Sequence, residues 1–177
     1  MQVGIRSKLK LISLIPILLL LGFASYFLYQ SSTNYIKGQT FSEKMAYSSI
    51  LNDLATQLAK ERGMTSIYIG SHGKMVKDSL HNQREKVDKR VKALKEYFVL
   101  HPKIKPKKSI MSMLALLNQK RHQIDTLHID FNEAFFNYYS VLIKSILDEM
   151  NRITTFSPDS EISNEAKAFI NFAKAKE

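Results

Sequence analysis

The chain has no cysteine, and only six glycines and four prolines among its 177 residues. Without cysteine there is no disulfide, no thiolate metal site and no cysteine nucleophile. Scarce glycine and proline leave few places to interrupt a helix, so long helices are favoured. Enzyme signatures are lacking as well. His72, His81, His101, His122 and His128 form no metal-ligand spacing, and there is neither a nucleophile motif nor a glycine-rich phosphate loop. No catalytic residue, metal or cofactor is therefore expected, and the chain reads as a non-enzyme. Its length allows one domain plus an anchor and argues against a multidomain enzyme.

Acidic residues are outnumbered. Against 26 Lys and Arg stand 16 Asp and Glu, a formal net charge of +10. Such an excess suits nucleic acid, anionic lipid or a small anion. Hydropathy removes the first of these. From Leu11 to Tyr29 no residue is charged, and the run approaches the roughly 20 residues that cross about 30 Å of hydrocarbon. Arg6, Lys8 and Lys10 precede it, so the positive-inside rule puts the N-terminus in the cytoplasm. Lys37, Lys44 and Lys60 weaken that asymmetry, but they belong to a folded domain whose charge counts for less. The expected organisation is a cytoplasmic N-terminus (1–10), a transmembrane helix in the bilayer (11–29) and an extracytoplasmic helical domain (31–177), with no nucleic-acid partner. Gly22-Phe23-Ala24 has the small-x-small form of a signal-peptide cleavage site. The apolar run continues past it through Tyr26, Phe27 and Leu28, which favours a retained anchor with an aromatic interface. Pro16 lies within the span.

Beyond the anchor, Tyr47, Leu51, Leu54 and Leu58 recur at steps of four and three, predicting a first helix that Gly70-Ser71-His72-Gly73 ends. A second carries Leu80, Val87, Val91, Leu94 and Phe98 and stops before His101-Pro102. After the basic Pro102–Lys108 linker, Ser109 can cap a third helix with Ile110, Leu114, Leu117 and Ile124. Asp130-Phe131-Asn132-Glu133 has the form of a capping box for a fourth, whose face is Phe135, Tyr138 or Tyr139, Leu142, Ile146 and Met150. Ser157-Pro158-Asp159 opens a fifth, with Ile162, Ala166, Phe169, Ile170 and Ala173. That helix has no stop signal before Glu177. The expected fold is all-α: a transmembrane helix followed by an antiparallel helical bundle, incomplete at its C-terminus.

Arginines interrupt these seams. In the series 80, 84, 87, 91, 94, 98 position 84 is Arg, and in 110, 114, 117, 121, 124, 128 position 121 is Arg. Asp88 and Asp125 each follow one turn later, within reach of i,i+4 pairing worth about 0.2–0.5 kcal/mol on an exposed helix. On the first helix the seam after Leu58 reaches Glu61 or Arg62, and spacing does not choose between them. Arginines at a seam edge can snorkel to water. Guanidinium groups converging in a bundle interior instead cost several kcal/mol unless an anion or carboxylate compensates. Such a cluster suits a small flat anion held bidentately.

The stretch Leu58-Ala-Lys-Glu-Arg-Gly-Met-Thr-Ser-Ile-Tyr-Ile-Gly-Ser71 resembles the signature of the nitrate- and nitrite-sensing (NIT) domain family. Gln83-Arg84 with Asp88, Arg121 with Asp125, and the aromatic run Phe136–Ile143 resemble the family's later helices in order. Phe172–Glu177 is similar to the approach to a second Glu-Arg motif, which, like a second transmembrane helix and an output module, would follow Glu177. The resemblance implies an all-helical periplasmic sensor in the inner membrane of a bacterium, part of a receptor serving chemotaxis, cyclic-di-GMP, kinase or antitermination outputs. It further implies nitrate or nitrite as the ligand, with Arg62 as a contact. The candidate ligand-binding residues are Arg62, Arg84 and Arg121, supported by Glu61, Gly63, Asp88 and Asp125. A homodimer is expected. A ligand-free module pairing along the Tyr47–Leu58 seam is the alternative.

Overall fold

A computed structural model describes residues 5–105 and 107–154. Helix α1 runs Ile5–Gly70, α2 Lys77–Leu100, α3 Lys108–Ala115 and α4 Leu117–Asp125; a π-helical segment, Glu133–Ser140, leads into α5, Val141–Thr154. No strand occurs among the described residues, and the all-α expectation holds. The expected fifth bundle helix lies outside them.

The chain divides between Glu43 and Lys44 into two units. In the first, the large apolar side chains from Leu14 to Tyr29 are all at least half exposed. Thr33 and Thr40 turn their hydroxyls back onto the carbonyls of Tyr29 and Ile36, at 2.8 and 3.0 Å, so their polar groups are spent on their own helix. Pro16 sits inside α1 without ending it. This helix is long and apolar enough near its N-terminus to cross a membrane.

The second unit is an up-down-up-down bundle, as the pairings between its helices show. Along α1 and α2, Tyr47 stacks on Tyr97, Asp53 lies 3.7 Å from Arg90, and Gln57 accepts from Gln83 at 2.9 Å. Numbers rise on one helix as they fall on the other, so the two are antiparallel. Glu61 meets Arg121 and the Tyr68 hydroxyl meets the Asp125 carbonyl, which makes α4 parallel to α1. Met113 with Tyr138, and Lys120 with Glu133, then run the last helical stretch antiparallel to α3 and α4. Apolar seams bury the surface that stabilises this arrangement, at about 1.5–3 kcal/mol for each Leu or Ile fully removed from water.

Tyr47, Leu51, Leu54 and Leu58 are buried in the chain's own core. The alternative of pairing two chains along this seam is thereby corrected: the surface is already used. Leu80, Val87, Leu94, Ile110, Leu114, Leu117, Ile124, Leu142, Ile146 and Met150 are buried as their spacing predicts.

Three local expectations need revision. The third helix is two, broken at Leu116, whose N–H bonds the Met113 carbonyl in a tighter turn while the seam stays in register across it. Ser109 does not cap it; Lys107 is the N-cap residue and makes no side-chain cap. The Asp130 box forms by half. The Asp130 carboxylate accepts the Glu133 N–H at 2.8 Å, but the Glu133 carboxylate turns to Lys120 and Asn137 instead of returning to Asp130.

The loop after α1 forms where glycines predict it. The Gly73 N–H reaches the Tyr68 carbonyl and the His72 N–H the Ile69 carbonyl, a Schellman stop with His72 in the left-handed region. Gly73 has φ +77°, and a Cβ there would stand 3.2 Å from the Tyr68 hydroxyl. The same stop closes α4, where the His128 N–H bonds the Gln123 carbonyl and Leu127 takes the left-handed position. Asp125 sits on that last turn.

Candidate functional site

Because α1 and α4 are parallel and α2 opposes both, residues 61, 84, 88, 121 and 125 come to one level of the bundle. There the structure settles the seam: Glu61 is the inward residue, with none of its side chain exposed. An unpaired carboxylate so placed would cost several kcal/mol. It is not unpaired. Arg121 donates to it side-on, Nε to Oε1 at 2.7 Å and Nη2 to Oε2 at 2.8 Å. The Tyr139 hydroxyl adds a third bond to Oε1 at 2.7 Å.

Arg121 is itself buried. Its Nη1 reaches Asp88 at 2.6 Å and Asn118 at 3.5 Å, and its Nη2 also points to the Arg84 carbonyl at 3.4 Å. All five of its N–H groups thus have acceptors. Burial alone would lower the pKa of this guanidinium, but hydrogen bonds and charge from Glu61 and Asp88 prevail and raise it.

Arg84 is bound differently. Its Nη1 donates to both oxygens of Asp125, at 2.8 and 2.9 Å. The i,i+4 pairs expected from the sequence are therefore exchanged: Arg84 takes Asp125 and Arg121 takes Asp88, each across the interface between α2 and α4. Two helices are tied by these contacts, which pairs along one helix would not do. The Nε and Nη2 of Arg84 are buried and have no hydrogen-bond partner. Glu61 Oε1 is 3.7 Å from that Nε, inside ion-pair range and outside hydrogen-bond range. Nε and Nη2 form one edge of the guanidinium, the edge with which Arg121 holds Glu61.

Arg62, one residue on, turns to a neighbouring face. Its Nη1 donates to the Ser140 hydroxyl at 3.1 Å, and its guanidinium lies 4.8 Å from the centre of the Phe135 ring. At Gly63 an added Cβ would meet nothing within 4 Å, so the helix surface beside Arg62 stays open. The site residues thus fall into a core group, Glu61, Arg84, Asp88, Arg121 and Asp125, and an adjoining pair, Arg62 and Gly63.

The π-helical segment supplies what spacing did not reveal. Tyr138 and Tyr139, consecutive in the sequence, are both buried. They lie on the π-helical stretch, where the Ser140 hydroxyl donates to the Phe135 carbonyl five residues back at 2.7 Å. Tyr139 can thereby bond Glu61 while Ser140 receives Arg62. Burial first, then the Glu61 charge, pushes the phenol pKa of both tyrosines above its usual 10.0. Spacing left Tyr138 and Tyr139 as alternatives; the stretch packs on more than one neighbour and buries both, as α5 buries Leu142 with Ile143 and Ile146 with Leu147.

No curated protein and no solved structure matches the chain. The sequence model of a family described as nitrate and nitrite sensing matches residues 53–177. That span is more than half of the chain and contains every residue of the layer just described. The match agrees with the resemblance carried by Lys60-Glu61-Arg62-Gly63, and its description is of a sensory family, not a catalytic one. The chain accordingly belongs to the nitrate- and nitrite-sensing (NIT) family.

Proposed function

We propose that the chain is the membrane-anchored extracytoplasmic sensory part of a bacterial receptor, and that it binds nitrate or nitrite at the arginine layer. The observation carrying this reading is the buried Nε–Nη2 edge of Arg84, which has no acceptor. Buried donors are normally paired. A planar oxyanion presents two oxygens in the geometry of a carboxylate, so nitrate fits this edge side-on. Arg62 flanks the layer and supplies a second guanidinium. Arg121, with all its donors engaged, acts as the anchor that holds Glu61.

Charge dictates how such a ligand enters. Arg62, Arg84 and Arg121 balance Glu61, Asp88 and Asp125, so an arriving anion makes the layer negative unless a carboxylate yields. Asp125 is the one to yield, because it is half exposed and shares Arg84 with the open edge, whereas Glu61 is held by three short bonds. Displacing it disturbs the last turn of α4, whose Asp125 carbonyl accepts from Tyr68 on α1, the helix on which the apolar segment lies. In this reading the segment 11–29 anchors the chain with its N-terminus cytoplasmic, and the receptor works as a homodimer.

The test is thermal melting of the full chain in neutral detergent with sodium nitrate, nitrite, chloride and sulfate at equal ionic strength. Ligand at a hundred times its Kd stabilises by about 2.7 kcal/mol. Nitrate or nitrite should raise Tm while chloride and sulfate do not. Arg84→Lys, which keeps the charge and loses the planar edge, should abolish the difference, and Arg62→Ala should reduce it. An equal response to all four salts sinks the reading and leaves a ligand-free bundle held by its ion pairs.

A further inference from the structure

Beside the open edge of Arg84 stands an acceptor that nitrate would leave idle. Glu61 Oε1 lies 3.7 Å from Arg84 Nε, and no part of the Glu61 side chain is exposed. An ionised carboxylate offers about four acceptor positions. Arg121 fills one on each oxygen, and the Tyr139 hydroxyl fills a second on Oε1. Oε2 therefore keeps one position unused. Two kinds of group stand together at this level: the donors Nε and Nη2 of Arg84, which have no acceptor, and a carboxylate with accepting capacity to spare.

These groups make different demands on a ligand. The guanidinium edge suits two coplanar oxygens of an anion. An oxygen bonded to Nε comes close to Glu61, and if it is a bare acceptor the two oxygens repel where little water screens them. Nitrate, nitrite and formate bring only bare oxygens. The conflict disappears for an oxyanion of the same planar shape that carries one hydroxyl. A hydroxyl oxygen accepts and donates at once, so it can take the Nε position and pass its hydrogen to Glu61. Hydrogen bonds from O–H to a carboxylate are about twice as strong as neutral ones. The layer already contains one, from Tyr139 to the same carboxylate at 2.7 Å. Space favours the smallest ion of this kind, because only 12% of the Arg84 side chain and 7% of Arg121 are exposed. That ion is hydrogencarbonate, planar, monovalent and close to nitrate in size.

We propose that the arginine layer is a hydrogencarbonate site, with an ionised oxygen of the ligand on Arg84 Nη2 and its hydroxyl oxygen between Arg84 Nε and Glu61. The proposal rests on the reading of the layer as an anion site and does not require nitrate to be a ligand. Glu61, held in place by Arg121 and Tyr139, is then a specificity-determining residue. It disfavours oxyanions that lack a donor and favours the one that has it.

The experiment is isothermal titration of the full chain in neutral detergent with sodium hydrogencarbonate, nitrate and formate, in closed cells at one mildly alkaline pH and with ionic strength held constant by sodium chloride. The parent should bind hydrogencarbonate on the order of tenfold more tightly than nitrate or formate, about the worth of one hydrogen bond to a charged group. Glu61→Gln should reverse the order, weakening hydrogencarbonate by the lost charge and strengthening nitrate by the lost repulsion. If that variant fails to fold, the ranking in the parent decides alone. Arg84→Lys should weaken all three. Nitrate bound as tightly as hydrogencarbonate, or more tightly, overturns the proposal and leaves the nitrate reading standing. Hydrogencarbonate bound without nitrate upholds the proposal and sinks nitrate as a ligand. Binding of none of the three overturns both.

Discussion

Replacing Arg121 by Met tests whether Glu61 is a buried anion that depends on one guanidinium. In the native chain the Glu61 carboxylate receives two bonds from Arg121 and one from Tyr139, with the Arg84 Nε at 3.7 Å. Arg121→Met preserves most of the side-chain volume and removes both of its bonds. What remains is a carboxylate with no exposed surface, held by one phenol and one distant cation. Breaking a buried pair from one side costs about 3–5 kcal/mol, because the orphaned charge stays desolvated. Asp88 loses its partner as well, but that side chain is 57% exposed and water takes over. Against a total domain stability of about 5–15 kcal/mol the loss is large. At roughly 4 °C per kcal/mol it corresponds to a fall in Tm of roughly 12–20 °C. The melt is best followed by near-ultraviolet circular dichroism of the tyrosines, which reports tertiary packing. Adding Glu61→Gln to Arg121→Met should recover a substantial part of the loss, since the buried charge is gone. A single variant that melts within 3–4 °C of the parent, roughly 1 kcal/mol, would falsify the burial of an ionised Glu61.

The exchanged ion pairs predict a pattern of coupling. A double-mutant cycle between Arg84→Met and Asp125→Asn should give about 0.5–1 kcal/mol, discounted because Asp125 is half exposed, and the cycle with Asp88→Asn should give nearly nothing. Coupling to Asp88 instead would restore the pairing along one helix. High pH provides a further test. Burial raises the phenol pKa of Tyr47, Tyr138 and Tyr139 above 10.0. In the folded state these groups keep protons that the unfolded chain releases, so their stabilisation is full below pH 10 and is lost as pH rises above it. The slope is about 1.4 kcal/mol per pH unit for each group once the unfolded tyrosines are ionised. Tyrosinate absorbance should therefore rise in two stages, at least three of the eight tyrosines ionising only as the tertiary signal collapses. Ionisation of all eight with tertiary structure intact would contradict their burial.

Much of the bundle was legible because its seams are regular. Leu51, Leu54 and Leu58 on α1 and Leu142, Ile146 and Met150 on α5 sit where a period of 3.6 puts them, and the glycines at 70 and 73 mark a real stop. The break at Leu116 left no trace, since neither Gly nor Pro stands there and the seam continues across it. Arginine pairing could not be read from spacing. The side chain is long enough to reach either the aspartate one turn away or one on the opposite helix, and only the approach of α2 to α4 decides. Glu61 and Arg62 were equivalent for a related reason: adjacent residues straddle a seam edge, and the side that Arg121 and Tyr139 occupy determines which turns inward.

The burial of Glu61, Arg84 and Arg121 is itself evidence of selection for something besides stability. Positions 84 and 121 fall in series otherwise built, His128 apart, from apolar residues, where Leu would pack without any desolvation cost. Replacing a buried ionic cluster by apolar residues of similar volume is often neutral or stabilising by 1–4 kcal/mol. The π-helical turn adds to the same account, since it disturbs regular backbone hydrogen bonding in order to bring Tyr139 to Glu61 and Ser140 to Arg62. An Arg121→Met/Glu61→Leu/Arg84→Leu variant makes the argument quantitative. If the layer serves only to hold the bundle, the apolar version should melt below the parent. If it exists to exchange one planar anion for another, the apolar version should melt at or above the parent and show no difference between nitrate and chloride.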